Sequence, residues 1–280
     1  MGKLAFALNL VRKHATKQDC ACPYCGNEQT VILQHKRMIM QLRRCEQCLL
    51  MFRYPKDDQN ENKSFYQRKY KQSTVTELPR KEEIPHHVAT RFVEVGRDLT
   101  EHLETIRAIA PHGRLLDYGC SWGYCVYQFR EAGYEASGFE ISQPRVEYGS
   151  SALGVGLTSD IEQLPNSSFD IIYSAHVLEH IPDPAISFRQ FQRLLKPGGM
   201  LFVYVPNCGG EAAHRLGIHW GPMINEKHVL ALAADFFQQS LPSYGFSLEF
   251  SSSPYSESPR KYEDHPPLNG EELLVIGQRV

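Results

Sequence analysis

Four of the eight cysteines fall into two C-x-x-C pairs, Cys22-Pro23-Tyr24-Cys25 and Cys45-Glu46-Gln47-Cys48, with nineteen residues between them. A C-x-x-C turn aims two thiolates at one point. Two such turns on neighbouring hairpins supply four sulfurs in a tetrahedron, which matches structural Zn2+ and leaves no open position for a reacting ligand. Gly26, directly after Cys25, suits the tight turn such a knuckle needs. A redox couple would account for one pair beside a βαβ unit, not for two pairs ahead of it. Disulfides would require an oxidising compartment, and no secretory signal is recognisable. Cys22, Cys25, Cys45 and Cys48 are therefore the expected zinc ligands. Cys20 makes the first knuckle C-x-C-x-x-C and ranks behind Cys22 as a ligand. Cys120, Cys125 and Cys208 have no mutual metal spacing and read as small core or loop residues.

A second chemical signature lies in RLLDYGCSWGYCVYQFREAGYEASGFEIS, residues 114–142. A buried strand ends in Asp117, and Gly119 and Gly123 flank a tight turn into a helix. A second strand ends at Glu140, which can accept both hydroxyls of a ribose. A ligand across the end of the first strand sits where an open α/β sheet binds its cofactor. Dinucleotide sites want G-x-G-x-x-G so that a pyrophosphate can rest on the helix N-terminus. Here the run is D-x-G-x-S-x-G, with Ser121 in the place of a glycine.

This segment resembles the first motif of the class I S-adenosylmethionine-dependent methyltransferases. DIEQLPNSSFDIIYSAHVLEHIPDP (160–184) and LLKPGGMLFVYVPN (194–207) resemble that family's following motifs in order and spacing, and the likeness covers roughly residues 88–250. The resemblance implies a Rossmann-like, seven-stranded α/β sheet with helices on both faces and S-adenosyl-L-methionine as cofactor. It implies that Asp117 and the backbone of Gly119 and Cys120 hold the methionine end, with Gly123 permitting close approach. Glu140 would take the ribose, Ile141 would pack on the adenine, Asp160 and the Ile161 amide would contact its edge, and His176 would line the donor pocket.

Methyl transfer asks the protein to align an acceptor with the S–CH3 bond and to exclude water from both. A hydroxyl acceptor also needs a general base. His176, His180, His214, His219 and His228 are candidates. NEKHVLALAADFF (225–237) resembles the segment after strand five of small-molecule and sugar methyltransferases, where a histidine faces the acceptor. That places His228 first, with His180 beside it and Glu226 as an acidic neighbour. His176, Glu179 and His180 form H-x-x-E-H. Similar E-x-x-E-H runs of quinone-type O-methyltransferases hold a divalent ion, but the first glutamate is replaced here, and Glu179 and His180 are expected to rim the site.

The elements that must carry these groups separate into three patterns. Residues 19–54 hold five cysteines between short strand-like runs and read as a small zinc-ribbon-like module. Residues 55–87 are polar and turn-rich, a linker with one helix around Tyr66–Tyr70, whose rings could stack on a sugar or base or pack on the next domain. From residue 88 to 280 helix and strand patterns alternate, as in a mostly parallel sheet covered on both faces. In that part a single helix is expected over 88–110, with Phe92, Val95, Leu99, Leu103 and Ile106 on one face. Strands are expected at RLLDYG, EASGFE, GVGLT, FDIIYSA and MLFVYVP.

Residues 1–18 read as a basic amphipathic helix. Leu4, Leu8 and Val11 lie on its packing face, with weak membrane-surface contact as the alternative use. Gly2 is not followed by Ser or Thr at position 6, so myristoylation is not indicated. No apolar run approaches the roughly 18 residues of a membrane span, and a cytoplasmic location is expected.

The net charge of −2 names no partner. Its distribution does, because residues 1–72 hold 14 Lys and Arg against 6 Asp and Glu, and the remainder 16 against 26. A basic front segment suits an anionic small-molecule acceptor, nucleotide-linked or lipid-phosphate-linked. The zinc module, LLMFRYP and FYQRKYKQ together resemble the leader of sugar and polysaccharide-associated methyltransferases. The leading expectation is therefore transfer to a hydroxyl of a sugar or of a glycan or lipid-linked precursor. An RNA methyltransferase with a zinc module is the alternative, opposed by the acidic whole and by the lack of an N/D-P-P-Y/F/W sequence. A non-catalytic cofactor-binding scaffold is the third reading, opposed by Asp117 and Glu140.

Overall fold

The computed structural model describes residues 3–15, 18–57, 78–255 and 258–280. Tyr66 and Tyr70 lie outside these residues. Helix α1 (Lys3–Ala15) packs with the opposite stripe from the one its hydropathy suggests. Leu10 is fully buried with Phe6 against Met40, Leu42, Trp220 and Ile224, whereas Leu8 and Val11 are 62% and 51% exposed. Polar anchors set this rotation. Lys13 donates to the Lys56 carbonyl and to Asp57 Oδ1 at 2.8 and 2.7 Å, and His14 reaches the Ile39 carbonyl at 3.0 Å.

Strands β1 (Thr30–Lys36), β2 (Met40–Cys45) and β3 (Met51–Tyr54) follow as an antiparallel meander. Arg37 and Met38 turn β1 into β2, both in the left-handed region at φ 54° and 58°.

Helix α2 (Ile84–Ala89) begins ahead of residue 88, and Ile84 at its start is buried. The single helix expected over 88–110 is instead α2, a break, and α3 (Thr100–Ile109). Arg91, Phe92 and Gly96 all take positive φ in the break, and the Asp98 carboxylate accepts from the Thr100 amide and hydroxyl to start the next helix. Phe92, Leu99, Leu103 and Ile106 are buried as the pattern implied, but Val95 is exposed.

The expected strands appear as β4 (Arg114–Tyr118), β5 (Glu135–Phe139), β6 (Leu157–Thr158), β7 (Phe169–Ala175) and β8 (Leu195–Pro206). Helices α4 (Tyr124–Glu131), α5 (Gln143–Leu153) and α6 (Pro184–Leu194) connect them. Helices α7 (Glu211–Leu216) and α8 (Ala234–Ser240) flank the two-residue strand β9 (Leu230–Ala231). Strands β10 (Phe246–Ser252) and β11 (Glu272–Arg279) close the chain.

The seven-stranded sheet runs β10-β11-β8-β7-β4-β5-β6, parallel from β8 to β6, with β11 antiparallel to both neighbours. This is the expected α/β architecture. Parallel strands buried on both faces must be apolar throughout, and Leu115, Leu116, Ile171, Ile172, Leu201, Phe202 and Val203 are all fully buried.

Strand β9 leaves this sheet and pairs with β3, Met51 opposite Ala231 and Phe52 opposite Leu230, making a second sheet β1-β2-β3-β9. The cysteine-bearing segment thus shares its core with the later part of the chain. Cys22, Cys45, Cys48, Leu50 and Phe52 belong to one buried cluster with Leu116, Phe188 and Phe236, and the Tyr24 ring stands 5.3 Å from that of Phe236.

Candidate active site and metal centre

The four cysteines converge. Cys22 and Cys48 Sγ are 3.5 Å apart, Cys25 and Cys45 3.5 Å, Cys25 and Cys48 3.6 Å, and all four lie within 4.8 Å of one another. A tetrahedral ion with sulfurs at roughly 2.3 Å sets them roughly 3.8 Å apart, so the spacing fits such an ion. Cys22 rather than Cys20 joins the set. Cys120, Cys125 and Cys208 are buried singly.

The second site lies at the carboxyl ends of the parallel strands, where the loops leaving β4 and β7 face a cavity of about 1100 Å3. Asp117 is the penultimate residue of β4, and Gly119, Cys120 and Ser121 turn the chain into α4. Gly119 has φ 89°, and a Cβ there would stand 2.4 Å from Val177. Only glycine fits. Gly123 serves packing rather than a ligand: its φ is 81° and a Cβ would meet Val155 at 2.9 Å. The amides of Gly119 and Cys120 both donate to the Phe139 carbonyl, at 2.7 and 3.0 Å, so this turn offers a ligand carbonyl oxygens rather than those N–H groups.

Ser121 takes φ 52°, a conformation glycine would hold without strain. Its neighbours account for a hydroxyl here. Ser121 Oγ accepts from the buried Arg145 guanidinium at 2.8 Å, and its amide donates to Glu140 Oε2 at 3.1 Å. Glu140 Oε1 accepts the Ser142 amide at 2.8 Å. Burial raises the Glu140 carboxyl above its ordinary range, against the pull of those amides and Arg145. Burial, reinforced by Glu140, lifts Asp117 well above its usual value. Two buried carboxylates on adjacent strand ends favour a ligand that brings positive charge and hydroxyl donors.

Asp117, Gly119, Cys120, His176, His180 and His228 line the cavity, while Glu140, Ile141, Asp160 and Ile161 stand outside its lining. Asp160 is exposed, and its Oδ1 accepts the Glu162 amide at 3.1 Å.

His176 leaves β7 at φ 54°, with Nε2 2.6 Å from Glu272 Oε1 and Nδ1 3.5 Å from Glu179 Oε1. Burial works to lower its pKa, but the two carboxylates outweigh this and raise it to about 10. Glu272 also meets His102 Nε2 at 3.1 Å and accepts the Tyr255 hydroxyl. Glu272, Tyr255 and His102 are functional candidates that local sequence patterns do not single out, because three distant segments bring them together.

The acceptor-side groups form a second constellation. Glu179 is buried, and its Oε1 lies 3.5 Å from His176 Nδ1 and 3.8 Å from His180 Nε2. The His180 and His228 rings meet edge to face at 4.8 Å. His180 Nδ1 faces the Lys227 carbonyl at 3.1 Å and His228 Nδ1 faces the Pro222 carbonyl at 2.7 Å. A carbonyl only accepts, so each neutral ring carries its proton on Nδ1 and keeps a lone pair on Nε2. Burial lowers the His180 pKa despite Glu179, with His228 adding to the depression. Ligand atoms of Glu179, His180 and His228 lie within 4.8 Å of one another, a set that could also hold a cation. Glu226, named from sequence as the acidic neighbour, does not belong to this set; Glu179 does.

Residues 87–249 match the family model described as a methyltransferase domain. The chain belongs to that family. Its methyltransferase domain is 28% identical over 139 residues to the malonyl-[acyl-carrier protein] O-methyltransferase of Serratia marcescens, covering 48% of this chain and 54% of that one. It is 31% identical over 111 residues to the ubiquinone biosynthesis O-methyltransferase of Ralstonia nicotianae, covering 36% and 47%. The chain spans about half the length of the curated relatives it matches. Among solved structures, an S-adenosylmethionine-dependent methyltransferase of Thermotoga maritima, described as a possible histamine N-methyltransferase, superposes with a TM-score of 0.51 at 17% identity. It covers 71% of this chain and 98% of that one, a likeness of fold.

Proposed function

We propose that the protein transfers a methyl group from S-adenosylmethionine to a hydroxyl of a small anionic acceptor, a sugar or a glycan or lipid-linked precursor. The observation that carries this reading is the convergence of Glu179, His180 and His228 on one wall of the cavity whose other wall is the Asp117–Ser121 turn. The cofactor supplies an activated sulfonium methyl. Asp117 would take the ammonium of its methionine end, and Glu140, held by two amides, would take the ribose hydroxyls. Ile141, Asp160 and Ile161 would border the adenine.

His228 Nε2 accepts the acceptor's proton, and His180, kept neutral by burial, stands beside it as second base. Glu179 stabilises the imidazolium that forms. Two of the named relatives are O-methyltransferases, which supports an oxygen acceptor. The basic front segment supports an anionic one.

The four thiolates would hold a structural Zn2+ with no open position, taking no part in the reaction. Acceptor identity is tested by incubating the protein with labelled methyl donor and fractionated cell extract. Label in a glycan or lipid-linked fraction is the expected result, and label confined to RNA would sink the sugar reading. A divalent ion on Glu179, His180 and His228 would replace the base by a Lewis acid. Transfer that survives EDTA but drops in His228→Gln favours the base.

A further inference from the structure

Arg53 lies in the middle of the second sheet, five residues after the last cysteine of the cluster, and is 1% exposed. A guanidinium withdrawn from water is costly unless its donors are matched. Here Nη1 donates to the Asn225 carbonyl at 2.8 Å and to the Glu226 carbonyl at 3.3 Å. Nε reaches the Pro55 carbonyl at 3.4 Å, and Nη2 lies 2.6 Å from Asp57 Oδ2. Its backbone amide donates to the Val229 carbonyl at 2.8 Å. Arg53 therefore grips both ends of residues 225–229, the turn that carries His228.

Asn225 transmits the grip. Its Oδ1 accepts the amides of Lys227 and His228 at 2.7 and 2.9 Å, and its own amide donates to the His228 carbonyl at 3.1 Å. On the opposite side, the Val229 amide donates to the Glu179 carbonyl at 2.9 Å. The His228 turn is thus clamped between the cysteine-bearing sheet and the β7 loop. The Asp117–Ser121 turn is set by other groups, Phe139, Glu140 and Arg145.

We propose that Arg53 is a positioning residue for His228, so that the four-cysteine sheet governs the acceptor side of the site while leaving the donor side alone. The importance of His228 rests on the reading of it as base, but the measurement below needs no acceptor. In protein labelled at histidine nitrogen, the His228 resonances are assigned by their loss in His228→Gln. The native neutral ring is expected to carry its proton on Nδ1, as its Pro222 contact requires.

Arg53→Met is expected to move His228 toward the Nε2–H tautomer of an unconstrained imidazole. S-adenosylhomocysteine affinity by calorimetry should stay within about threefold. Arg53→Lys should fall between, since one ammonium cannot reach both carbonyls. Unchanged His228 nitrogens in a folded Arg53→Met, or cofactor affinity falling in step with them, would overturn the proposal. If Arg53→Met does not fold, Asp57→Asn should move His228 in the same sense by less, and no movement there counts against it. Full methyl transfer by His228→Gln would refute the base reading while leaving this coupling measurable.

Discussion

Glu140 holds two backbone amides from two different loops, so its loss should loosen those loops as well as remove the ribose contact proposed for it. Glu140→Ala is expected to weaken S-adenosylhomocysteine binding by about 100-fold, about 2–3 kcal/mol, by calorimetry. Unchanged affinity would refute its assignment. His176 makes a pH prediction. Its folded pKa is raised to about 10 from an ordinary 6.5, so its ion pairs stabilise the fold fully below about pH 6.5 and are lost as pH rises through about 10. Melting temperature should therefore fall less over that interval in His176→Gln than in the native chain. Asp117, Glu140 and the cysteines could be found in the sequence because each is tied to a local spacing. Arg53 and Glu272 could not, since Arg53 meets the carbonyls of Asn225 and Glu226, and Glu272 meets His102 and His176, all far away in the chain.

At the level of elements, strands of the parallel sheet were readable because burial on both faces leaves uninterrupted apolar runs. Helices were harder. The 88–110 pattern hides a break that only the positive φ of Arg91, Phe92 and Gly96 reveals, and α1 carries apolar residues on two stripes. Periodicity cannot choose between such stripes; Lys13 and His14 do, by reaching Asp57 and Ile39. The β1–β2 turn offers a further test. Arg37 and Met38 both take left-handed φ, and Met38 is 93% exposed. Met38→Gly removes the steric penalty without losing packing and should raise stability by about 1 kcal/mol. An unchanged or lowered melting temperature would show that the Met38 side chain contributes contacts of its own.

For the molecule as a whole, the thiolate cluster belongs to the main core and not to an appended module. Chelating an ion from it, or Cys45→Ser, should lower one cooperative calorimetric transition by about 3 kcal/mol rather than melt a separate unit. Two resolved transitions would contradict that view. The same pairing has a consequence for how the chain is made. Phe52 finds Leu230 only after the intervening residues have been synthesised, which at typical ribosomal rates takes roughly 10–40 s. During that interval β3 presents an open strand edge. The nascent chain therefore carries four thiols before Phe236, which shares their core, has been made, and a metal taken up by them during translation would shield them over that interval.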